Sequence, residues 1–111
     1  ALRQAKFMLS GLEVDTQRML KNLDLTGGLI VAEAVMMGLA PHIGRQTAHD
    51  VVYDACRIAA TQGKKLAEVL YLDAKVSAKL DRARIDALCD PANYLGAAPQ
   101  MVDQMRAWKK S

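Results

Sequence analysis

Residues 27–40, GGLIVAEAVMMGLA, are apolar on every side of a helix, with a single charge, Glu33, inside the run. A helix that is hydrophobic all round belongs in the middle of a packed body. At 14 residues the run is shorter than the roughly 20 needed to cross a bilayer, and a carboxylate near its middle opposes membrane insertion. The run is therefore expected to be the central helix of a small all-α domain of five to seven helices, with its neighbours each laying one apolar face against it.

The flanking patterns agree with that expectation. Leu2, Ala5, Met8 and Leu9 share one helical face that Gly11 ends, with no cap before it. Residues 1–11 read as the last turns of a helix begun upstream, and 12–111 as the helical domain proper. Asp15 is a good N-cap for a short helix that carries Met19 and Leu20 inward. Asp24 or Thr26 is placed to cap the central helix, whose first turn then holds Gly27 and Gly28. Two glycines there cost about 1 kcal/mol each relative to alanine, so a close approach of another backbone is expected.

Pro41 and Gly44 should end the central helix. Ala48, Val51, Val52, Ala55, Cys56 and Ala59 then recur at helical spacing, which predicts an amphipathic helix over 45–62, either capped by a Thr47–Asp50 box or started earlier, near Gly44. Beyond Gly63 the helices shorten. Asp73, Asp81 and Asp90 are each placed as caps, and Asp90-Pro91 puts proline at a first helical position. A last amphipathic helix over 98–109 presents Ala98, Met101, Val102, Met105 and Trp108 to the core. No period-2 run predicts a strand.

Leu, Val, Ile, Met and Ala must build the core, because only 5% of residues are aromatic. The six methionines are expected to fill it. The net charge of +3 favours anionic partners only weakly. The basic residues are scattered among acidic ones, and the doublets Lys64-Lys65 and Lys109-Lys110 lie far apart without interleaved aromatics, so nucleic acid is not the expected partner. Cys56 and Cys89 form no CxxC and fall among apolar residues, as buried reduced thiols of a cytoplasmic protein would. The first ten residues lack the apolar run of a signal peptide.

Chemistry-bearing candidates are few. Glu33, inside an otherwise apolar helix, should be largely buried, either as an acid with a raised pKa or as the partner of Arg45 or His49 after the turn, with Arg45 the first choice and the pairing role favoured. His42 and His49 are seven apart, which is no metal-ligand spacing. His49 reads as a packed hydrogen-bonding residue. Ser10, Ser77 and Ser111 stand alone, and no nucleophile elbow, phosphate loop or dinucleotide fingerprint is present.

Three motifs carry more. Met19-x-x-Asn22-Leu23-x-x-Thr26-x-Gly28-Leu29-x-x-Ala32-Glu33-x-Val35, Gly44-Arg45-x-x-Ala48-His49-x-x-Val52 and Asp90-Pro91-x-x-Tyr94-Leu95-Gly96, in this order and spacing, resemble the C-terminal part of the fumarase/aspartase superfamily. Ala48-His49 leans toward the 3-carboxy-cis,cis-muconate cycloisomerases, with the adenylosuccinate lyases more distant. The resemblance runs over roughly residues 2–105. It implies homotetramers with a helical bundle and active sites where subunits meet. It also implies cofactor-independent addition or elimination next to a carboxylate of a small di- or tricarboxylate, here lactone formation in protocatechuate breakdown.

The family's Ser-Ser-x-Met-Pro-x-Lys loop and its two upstream histidine regions are not in this sequence. No catalytic residue, cofactor or metal ligand is therefore transferred. Glu33, Arg45, His49 and Asn22 stand as structural candidates. The domain is expected to be inactive by itself and to have the rest of its own chain and sister subunits as partners, with no nucleic acid or membrane. The reading from a different class is a free-standing helical interaction module.

Overall fold

The computed structural model describes residues 1–109. Lys110, half of the Lys109-Lys110 doublet, and Ser111 lie outside the described residues. Among those described there are eight α-helices and no strand: α1 (Leu2–Ser10), α2 (Thr16–Leu23), α3 (Ala32–Ile43), α4 (Arg45–Gln62), α5 (Leu66–Leu72), α6 (Ala74–Ser77), α7 (Arg82–Cys89) and α8 (Ala98–Trp108). Two 3₁₀ turns, Leu29–Val31 and Pro91–Tyr94, complete the chain. The all-α class stands. The helix number passes the expected five to seven because aspartate caps divide the second half into short pieces.

The core is aliphatic. Val35 and Leu39 of α3 meet Ala48, Val52, Ala55 and Ala59 of α4, closed off by Leu66, Leu70, Val76, Leu80 and Ile85. α3 packs on α4, α6 and α7, so its central position is as expected. No side-chain polar group is buried in this core without a partner. Gly38 lets α3 approach α7 closely, since a Cβ there would lie 2.5 Å from Leu88 Cδ2.

The boundaries of the central run differ from the expectation. Gly27 and Gly28 are not in a helical turn; both have positive φ, +60° and +94°. They form a left-handed turn that glycine adopts without steric cost. The 3₁₀ turn follows, and regular helix begins only at Ala32. Neither Asp24 nor Thr26 caps α3 through its side chain; Asp24 sits at the end of α2. Pro41 lies inside α3 and Gly44 ends it. The expected close approach is present: a Cβ on Gly27 would stand 3.2 Å from the Lys64 carbonyl oxygen, and one on Gly28 would stand 3.4 Å from Leu66 Cβ.

α4 spans the expected residues. Its first residue is Arg45, however, and Gly44 precedes it, so Thr47 and Asp50 form no capping box. Gly63 closes α4 in the left-handed conformation. The predicted caps Asp15, Asp73, Asp81 and Asp90 all accept backbone N–H groups.

The largest departure is at the ends. α1, α2 and α8 bury no residue, and the molecule is elongated, 58 × 31 × 23 Å. α8 forms with the predicted apolar face, but Met101, Val102, Met105 and Trp108 are exposed rather than turned into the core. Met19 and Leu20 are exposed instead of inward. Of the methionines, Met36 packs on the core, whereas Met8, Met19, Met37, Met101 and Met105 are exposed. Amphipathicity identifies an apolar face without identifying what covers it.

Candidate functional site

The third motif is a device that stops α7 and turns the chain. Asp90 accepts the Ala92 N–H at 2.9 Å, and Pro91 starts the 3₁₀ turn where no N–H is needed. Asn93 Nδ2 donates to the Ala87 carbonyl at 2.7 Å, and the Tyr94 hydroxyl donates to the Leu88 carbonyl at 2.6 Å. The Ala87 carbonyl, which also accepts the Asp90 N–H, and the Leu88 carbonyl at the end of α7 are thereby satisfied. Partial burial, with Cys89 and Asp90 adding to it, holds the Tyr94 pKa above its ordinary value.

This turn faces the first motif. Leu20 and Leu23 of α2, Ile30 of the first 3₁₀ turn, and Pro91, Tyr94 and Leu95 line an apolar groove of ≈ 420 Å³. Gly28 and Asp24 border its continuation toward Cys89. Residues of two motifs more than sixty positions apart thus share one concave surface. Leu20 and Ile30 belong to neither motif's fixed positions, and the spacing of Leu20 and Leu23 on α2 is the signal that points to them. The polar groups on its wall, Asp90 and the Tyr94 hydroxyl, are both engaged in the turn that follows α7.

The four structural candidates are not brought together. Glu33 was expected to be largely buried and paired. It lies on the exposed side of α3, and no ion pair joins it to Arg45 or His49 among the described residues. The reason is rotational: Val31, Val35 and Leu39 take the core-facing stripe, and Glu33, two residues from Val31 and Val35, falls on the other side. Arg45 is exposed at the start of α4, and Asn22 is exposed near the end of α2.

His49 is not packed. It is exposed, its Nδ1 lies 3.1 Å from Asp50 Oδ1, and its ring stacks on Tyr53 at 6.4 Å. Hydrogen bonds from His49 and from Gln46, which stands 3.0 Å away, hold the Asp50 carboxyl below its ordinary pKa.

Cys56 and Cys89 are free and half-buried. Burial raises the Cys56 pKa. For Cys89, burial, with Asp86 and Cys56 adding to it, pushes the pKa up to about 11. Thiols in such surroundings are poor nucleophiles. Among the described residues no cluster of three or more His, Cys, Asp or Glu side chains is placed to hold a metal ion, and no helix is long and apolar enough to cross a membrane.

Residues 28–105 match the family model described as "Adenylosuccinate lyase C-terminus". Trans-aconitate decarboxylase 1 of Mycosarcoma maydis is 51% identical over 105 residues, covering 95% of this chain and 21% of that protein. The 3-carboxy-cis,cis-muconate cycloisomerase of Pseudomonas aeruginosa is 50% identical over 107 residues, covering 96% of this chain and 23% of the relative. The crystal structure of the 3-carboxy-cis,cis-muconate lactonizing enzyme from Pseudomonas putida superposes with a TM-score of 0.85 at 45% identity, over 94% of this chain and 24% of that one. The chain therefore spans less than a quarter of the length of these relatives. With motifs, fold and a match over most of its length in agreement, the chain belongs to the adenylosuccinate lyase C-terminus family.

Proposed function

We propose that this chain is the C-terminal helical part of a cofactor-independent cycloisomerase that closes a lactone from a carboxymuconate in bacterial aromatic catabolism. Half of its residues are shared with a protein of that named activity, and this observation carries the reading. The domain's task is architectural. Residues 1–11 form the tail of a bundle helix, and the exposed apolar faces of α1, α2 and α8 seat against the rest of the chain and sister subunits of a cytoplasmic homotetramer. Exposed Met8, Leu9, Met19, Leu20, Met101, Met105 and Trp108 support this, since large apolar side chains left uncovered along a helix face mark interaction sites. Asn22 on α2, Glu33 on α3, and Arg45 and His49 on α4 are exposed and serve as polar contacts to the rest of the assembly. The His49–Asp50 pair lies exposed on α4, outside the α2 groove, and under this reading the proton-transferring groups are supplied by the rest of the assembly.

A second reading is favoured by the decarboxylase relative, whose identity to this chain is equal within a percentage point. Carboxymuconate and aconitate are both unsaturated tricarboxylates. Under this reading the substrate class is the same and the bond broken is carbon–carbon. An elimination on adenylosuccinate is the third outcome. The intact protein, supplied separately with carboxymuconate, trans-aconitate and adenylosuccinate, decides among them. Lactone formation supports the first reading, release of carbon dioxide from aconitate replaces it with the second, and activity on adenylosuccinate alone overturns both.

A further inference from the structure

We draw no further inference here: the strongest candidate, the exposed apolar face that Met101, Val102, Met105 and Trp108 make on α8, carries nothing beyond the seam already proposed for it, because nothing in the structure shows what covers it.

Discussion

The backbone N–H of Leu66 donates to the carbonyl of Gly27 at 2.8 Å, and this bond, formed thirty-nine positions apart, fixes the entry to the domain against the start of α5. Leu66 is fully buried. Beside the bond, Lys65 Nζ stands 3.0 Å from Asp24 Oδ2. That ion pair is exposed on both sides, so it adds little. The backbone bond and the left-handed turn do the holding.

Gly27→Ala tests this directly. The new Cβ meets left-handed backbone at φ +60° and the Lys64 carbonyl oxygen at 3.2 Å. Left-handed strain for a non-glycine residue costs about 1–2 kcal/mol, so the urea midpoint should fall by that equivalent. Lys65→Ala should move it by less than about 0.5 kcal/mol. The reverse ranking would mean that the ion pair, not the turn, anchors α2.

At Gly38 the sign of the effect should depend on a neighbour. Alanine gains about 1 kcal/mol over glycine within a helix, but its Cβ would lie 2.5 Å from Leu88 Cδ2. Overpacking of this kind costs about 1–3 kcal/mol. Gly38→Ala should therefore destabilise the wild type slightly, by about 1 kcal/mol. In a Leu88→Ala background it should stabilise. A double-mutant cycle from four denaturation curves reads the coupling, and additivity would show that the two residues do not meet.

The core was legible from the sequence where periodicity and caps act locally. Ala48, Val52, Ala55 and Ala59 followed from their spacing, and Asp15, Asp73, Asp81 and Asp90 followed from cap chemistry, because both depend on residues within a turn or two. Glu33 was misread because an all-apolar run gives no preferred rotation: only the neighbours of α3 decide which stripe faces inward. Its true environment makes Glu33→Ala nearly silent, within about 0.5 kcal/mol, as for other exposed positions without a partner. A loss of 2 kcal/mol or more in a urea melt would restore the buried pair. The α2 groove was not legible. It joins residues from distant segments, and no single window of sequence contains both walls.

Asp50 offers a local probe of α4. Its carboxyl is held below the ordinary value by hydrogen bonds from His49 and Gln46. A depressed acid contributes stability above its unfolded pKa, and that contribution is lost as pH falls through the folded pKa. Side-chain carboxyl NMR should show Asp50 titrating below the ordinary aspartate value, and His49→Ala should move it back up. An unmoved titration would mean that the pair is not formed in solution.

At alkaline pH the sign reverses through Cys89. Its pKa stands at about 11 against an ordinary 9.0, chiefly from burial. A raised acid favours the protonated folded form. The unfolded chain releases its proton first, so stability is intact below pH 9 and is lost as pH rises from 9 toward 11. Urea midpoints measured across this window should fall for the wild type and fall less for Cys89→Ala. The same burial keeps the thiolate scarce at neutral pH, so alkylation by iodoacetamide should be slow at pH 7.5 and accelerate through the same window. A fast reaction of Cys89 at neutral pH, or identical pH profiles for wild type and Cys89→Ala, would show that the thiol is open to solvent and does not pack against the core.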